Sequence, residues 1–259
     1  MRHEIITLPG TGVELETYLT DNRAVEPERR KPLALIFPGG AYAYRSNREG
    51  EPVALRLQAL GIQAVIVRYS VAPARYPKAL EEAAEAVAYA RAHAEEWLCD
   101  PGRIAVLGFS AGGHAAAHIG LKWHMMPQGK VCRPDAMILA YPVITSGEYA
   151  HRGSIENLLG EDYERLKDEV SLEKFVRDDT PPTFLWHTRE DGSVPVENSL
   201  LLASELSRNG IGFELHIWQH GGHGMSLGSD QVYPENDPNI HPECQEWIDM
   251  AARWLHAMK

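Results

Sequence analysis

The residues Gly108-Phe109-Ser110-Ala111-Gly112 carry the G-x-S-x-G spacing. In that motif a serine sits on a strained strand-to-helix bend, and small neighbours let adjacent elements pack closely. The apolar run "RIAVLGF" leads into it, and an alanine-rich helical stretch follows. This order pushes the Ser110 hydroxyl outward and sets the Ala111 amide at a helix N-terminus, where a developing oxyanion is stabilised. Serine is a weak nucleophile near neutral pH. A base must take its proton, and a carboxylate must orient that base and stabilise its cation.

Among the 12 histidines, the segment "FELHIWQHGGHGMSL" offers His220 and His223 just past a strand-like run. His223 is the candidate base, because glycine on either side lets its loop come close to the serine. His220, nearer the strand end, reads as a structural imidazole. The two histidines alone do not make a metal site, since no third ligand is near them in sequence. For the acid, "TFLWHTREDGSVPVENS" places Glu190 and Asp191 directly after another apolar run. Asp191, followed by Gly192 and Ser193, can turn its carboxylate toward the serine's side of a sheet. Glu190 is left to cap or brace the turn. A third segment, Pro38-Gly39-Gly40-Ala41, ends the run "PLALIF". The amides of Gly40 and Ala41 are candidates to join Ala111 in an oxyanion hole. Tyr42, Tyr44 and Arg45 come next and are candidates to line an acyl or alcohol pocket.

Eight strand-length runs can position these groups. "HEIITL" and "VELETYL" read as an opening hairpin, followed by "PLALIF", "IQAVIVRY", "RIAVLGF", "AMILAYPV", "TFLWHT" and "FELHIW". The central runs are apolar throughout, as strands covered on both faces must be. Helical stretches between them imply an α/β fold, a mostly parallel sheet with helices on both faces. Leu80, Ala83, Ala84 and Val87 recur at helical spacing, and Trp247, Met250, Ala251, Trp254, Leu255 and Met258 mark a closing amphipathic helix. Residues 144–182 are polar, charged and longer than an ordinary connection, which predicts an inserted cap or lid. Residues 224–242, rich in Pro, Asn and Asp, read as a loop near the carboxyl edge of the sheet. No linker interrupts the chain, so residues 1–259 are expected to form a single domain.

Composition narrows the partners. With 259 residues and 44% hydrophobic content the chain can bury a sizeable core. Its formal charge of −11 disfavours nucleic acid and anionic membranes. A small neutral molecule fits better. Neither a signal peptide nor an uninterrupted apolar run of membrane-spanning length is visible, and a soluble, cytoplasmic protein is expected. Cys99, Cys132 and Cys244 are widely spaced and form no CxxC pattern, so reduced, buried thiols are expected rather than disulfides or a metal site. Composition leaves self-association as a homo-oligomer open.

Taken together, these segments resemble the α/β-hydrolases over nearly the whole chain, and the order Ser110, Asp191, His223 is the order of that fold. "RYSVAPARYPKALEEAAEAVAYAR" and "DPGRIAVLGFSAGGHAAAH" resemble hormone-sensitive-lipase-like esterases. "FPGGAYAYRSNREGEPVALRL", "TPPTFLWHTREDGSVPVENSLLLASEL" and "GGHGMSL" are similar to bacterial acetyl esterases and acetylxylan esterases. The resemblance implies a catalytic triad of Ser110, Asp191 and His223, and oxyanion donors near Gly40, Ala41 and Ala111. It implies short acyl groups on carbohydrate or similar alcohols, and no metal or organic cofactor. One departure is visible: the lipase-like branch usually has His-Gly-Gly-Gly where this chain has Pro38-Gly39-Gly40-Ala41, which weakens any transfer of lipid substrates. Two alternatives stay open, an arylformamidase or peptidase turning the same triad on an amide, and a non-catalytic binding protein on the same fold.

Overall fold

Eight strands hydrogen-bond into one sheet in the order β1-β2-β4-β3-β5-β6-β7-β8. They are β1 (Ile5–Thr7), β2 (Glu14–Tyr18), β3 (Lys31–Phe37), β4 (Gln63–Val67), β5 (Cys99–Phe109), β6 (Ala136–Ala140), β7 (Thr183–Thr188) and β8 (Phe213–Trp218). β1 and β2 pair antiparallel, as do β2 and β4; every later pairing is parallel. The computed structural model describes every residue except Val25 and Lys259. The expected span 1–259 therefore includes two positions outside the described residues.

β3, β4, β6 and β7 are buried along their whole length, which is why their sequences show no polar alternation. β8 lies at the sheet edge and is only partly covered. Successive strand residues point to opposite faces, and each face has its own core. Leu33, Leu35 and Phe37 of β3 join one core with Leu80, Ala83 and Val87 of α2 (Lys78–Ala92) and Ala115 and Ile119 of α3 (Ser110–Lys122). Ala34 and Ile36 join the other, with Val53 and Leu57 of α1 (Glu51–Ala59). Helices thus cover both faces of the sheet.

Between β6 and β7, residues 144–182 fold into α4 (Arg152–Leu159), α5 (Tyr163–Leu166) and several 3-10 turns. Ile155, Leu158 and Leu159 stand at helical i, i+3, i+4 spacing and are buried with Val170 and Leu172 in the α2–α3 core. Tyr76 N–H donates to Leu158 O at 2.9 Å, and Leu172 N–H to Ile144 O at 2.9 Å. α6 (Glu197–Arg208) follows β7, and α7 (Trp247–Ala257) closes the chain on the α1 side. Residues 219–246 between β8 and α7 hold no helix or strand, yet Met225 and Leu227 within them are buried. No helix among the described residues is long and apolar enough to cross a membrane.

Candidate active site

β5 ends at Phe109 and α3 begins at Ser110, whose φ of +53° lies in the left-handed region. Such a backbone costs about 1–3 kcal/mol for a non-glycine residue and persists only where its surroundings enforce it. Here the surroundings leave no slack. A side chain at Gly108 would collide with the Gly112 carbonyl, and one at Gly112 with the carbonyls of Phe37 and Pro38. Ser110 O accepts from Val143 N–H at 3.0 Å, which ties the bend to the end of β6.

Asp191 occupies the turn after β7, and His223 the loop after β8. His223 Nε2 lies 2.7 Å from Ser110 Oγ, and its Nδ1 lies 2.7 Å from Asp191 Oδ2. Since the carboxylate is an acceptor, Nδ1 carries the proton and Nε2 is left to accept from the serine hydroxyl. Asp191 Oδ1 takes the N–H groups of Ser193 and Val194, each at 2.9 Å. Oδ2 also faces His187 Nε2 at 3.3 Å. Burial alone would raise the Asp191 carboxyl, but hydrogen bonds from His187, His223 and Val194, with the charge of His223, outweigh it. The group is held well below the usual carboxylate range. His187 is fixed in turn by Ser199 Oγ at 2.8 Å from Nδ1 and Val194 O at 3.0 Å from Nε2. Nothing in the sequence singles out His187, because a histidine inside an apolar strand reads as ordinary core.

The turn after β3 has three consecutive positive φ angles, +125° at Gly40, +55° at Ala41 and +56° at Tyr42. Ala43 and Tyr44 N–H both bond to Gly40 O. A side chain at Gly40 would strike the Tyr44 carbonyl. Asn157 of α4 donates to Ala41 O at 2.9 Å, so residues 144–182 reach this turn. Among the described residues no acceptor meets the Gly40 or Ala41 N–H. The first N–H groups of α3, Ala111 among them, have no partner within their own helix.

Tyr42 departs from expectation. It is only 2% exposed and its hydroxyl lies 2.8 Å from His114 Nδ1, so it braces the turn instead of lining a pocket. Tyr44, 62% exposed, and Arg45 do border a cavity of about 720 Å³, together with Pro38, Asn47, Glu51 and Arg68. This cavity opens beside the turn, and neither Ser110 nor His223 lines it. His220 and Glu190 pair with each other at 3.1 Å on the surface. His151 caps α4 by accepting from Ser154 N–H; burial pushes its imidazole down, the charge of His223 adds to that and the charge of Asp191 opposes it. It was not visible as a site neighbour in the sequence, where it is one histidine in a polar insertion.

The chain matches the BD-FAE family model over residues 18–206. An acetyl ester-xyloside bifunctional hydrolase from Caldicellulosiruptor lactoaceticus shares 41% identity, with 96% of this chain and 89% of that one covered at a TM-score of 0.83. Endo-1,4-beta-xylanase B of Butyrivibrio fibrisolvens is 33% identical over 79% of this chain and 34% of its own length. The acetylxylan esterase of Xylanibacter ruminicola is 31% identical over 78% of this chain and 43% of its own. The chain thus spans less than half the length of either of these two curated relatives.

Proposed function

The chain belongs to the BD-FAE family and has the α/β-hydrolase fold, and on that footing we propose that it is a serine esterase removing acetyl-sized groups from carbohydrate or similar alcohols. Ser110 Oγ attacks the ester carbonyl while His223 Nε2 takes its proton. Asp191 holds the imidazole in the required tautomer and stabilises the imidazolium. The N–H groups of Gly40, Ala41 and Ala111 receive the oxyanion. His223 returns the proton to the leaving alcohol, leaving an acyl-enzyme on Ser110. Water, deprotonated by the same imidazole, then releases the acid and restores the hydroxyl.

What carries the proposal is His223 meeting Ser110 and Asp191 at once, at 2.7 Å on each side. The cavity beside Tyr44 and Arg45 supports a polyol leaving group, since its rim combines an exposed aromatic ring with charged and amide side chains. Residues 144–182, bonded to the Ala41 turn through Asn157, serve as a cap that reaches the proposed oxyanion turn. The similar acetylxylan esterase and acetyl ester-xyloside hydrolase point to the same substrate class. Three buried, unpaired thiols suit a reducing, cytoplasmic setting. Ser110→Ala is expected to abolish hydrolysis of p-nitrophenyl acetate with the circular dichroism spectrum retained. Turnover comparable to the parent would refute the assignment.

A further inference from the structure

We infer that Glu49 is a positioning residue of this site, a buried carboxylate that ties the oxyanion turn to the histidine loop and keeps a second negative charge near His223. The inference rests on the esterase reading above.

Glu49 is 3% exposed, in a short turn just ahead of α1. Its Oε2 accepts from Gly39 N–H at 2.7 Å, one residue before the first proposed oxyanion donor. Its Oε1 accepts from Tyr141 O–H at 2.7 Å. The Tyr141 oxygen accepts in turn from Ser226 N–H at 2.8 Å, three residues past His223. The Tyr141 ring stands edge-on to the imidazole, with centroids 5.2 Å apart. The neighbouring Arg48 carbonyl accepts from Ser226 Oγ. Two loops that must hold their donors and base in register around one carbonyl are therefore joined through the Glu49–Tyr141 pair.

Packing alone does not account for a carboxylate here. Burying one without a hydrogen-bonded cation costs several kcal/mol, and both of its hydrogen-bond partners are neutral. Both of its oxygens accept hydrogen bonds, which favours the ionised form. Burial holds the Glu49 carboxyl above its ordinary value, and the Tyr141 and Gly39 donors with the charges of His223 and Arg48 moderate that rise. Tyr69 and Tyr233 are the other titratable groups that feel its charge. On the His223 side, Asp191 and His151 complete the set. An anion in this place favours the imidazolium formed as Ser110 attacks, and it opposes any drift of the Gly39–Ala41 turn.

The test begins with the parent and Ser110→Ala on p-nitrophenyl acetate. If both hydrolyse alike, the esterase reading fails by itself, whatever Glu49 does. With that reading standing, Glu49→Gln should lower kcat about tenfold to a hundredfold with KM little changed. It should also move the acid limb of the kcat/KM profile to lower pH by about half a unit or more, because a charge favouring the protonated base has gone. A bond that only held the fold would lower kcat without moving that limb, so an unmoved limb overturns the inference. Should Glu49→Gln fail to fold, Tyr141→Phe keeps the ring and removes only the bridge. A kcat reduced at least about threefold would support the tie, and a smaller change would overturn it.

Discussion

At the scale of single residues, Asp191 does two jobs with its two oxygens. Oδ1 is spent on Ser193 and Val194 and fixes the turn; Oδ2 faces His223 and His187. An amide of the same size cannot accept at every one of these points. Asp191→Asn should therefore reduce kcat by about 10⁴, the order seen when a triad acid is replaced by its amide. The same carboxyl links stability to pH. Its folded-state pKa lies below the ordinary 3.8, so its ionised form favours folding. That contribution is complete above the unfolded value and is lost as pH falls toward the folded one. Urea unfolding should show the parent losing more stability than Asp191→Asn between about pH 5 and pH 3. Ser110, His223 and Asp191 stand out in the sequence as candidates because a motif marks the first and strand ends mark the others, and the structure brings the three together. Tyr42 could not be placed, since its burial depends on His114, 72 positions away. Glu49 was equally hidden, as one acid in the polar string "SNREGE".

At the scale of elements, the strained turn after β3 is held from several sides. His114 on α3 meets the Tyr42 hydroxyl, Asn157 on α4 meets the Ala41 carbonyl, and Tyr69 beyond β4 donates to Pro38 O. Tyr42→Phe would leave His114 Nδ1 buried without its partner. That change should cost about 1–3 kcal/mol in urea unfolding, with a fall in kcat because Gly40 and Ala41 lose one restraint. Loss of stability with kcat unaltered would separate the turn from the chemistry. The strands were legible because burial on two faces demands continuous apolar runs. β5 nevertheless begins at Cys99, ahead of the run "RIAVLGF", since Lys31 pairs with Cys99 before the register shifts. The helices inside residues 144–182 were not drawn from sequence. Their apolar positions are few and sit among charges, and they are visible only as the Ile155, Leu158, Leu159 stripe.

At the scale of the whole molecule, the parallel sheet explains why residues 110, 191 and 223 can meet. β5, β7 and β8 run the same way, so the segments leaving their carboxyl ends share one rim with the turn that leaves β3. The polar cavity on that rim gives a further prediction. Tyr44→Ala should raise KM for acetylated xylo-oligosaccharide severalfold more than for p-nitrophenyl acetate, whose leaving group has no polyol to lay against the ring. Equal effects on both would place the sugar elsewhere. The net charge of −11 favours neutral esters over polyanionic ones for the same molecule-wide reason. The most direct measurement is labelling of the intact protein with a fluorophosphonate, followed by peptide mapping. An activated Ser110 predicts one label per chain on that residue, lost in His223→Ala. A label on any other residue, or none, would contradict it.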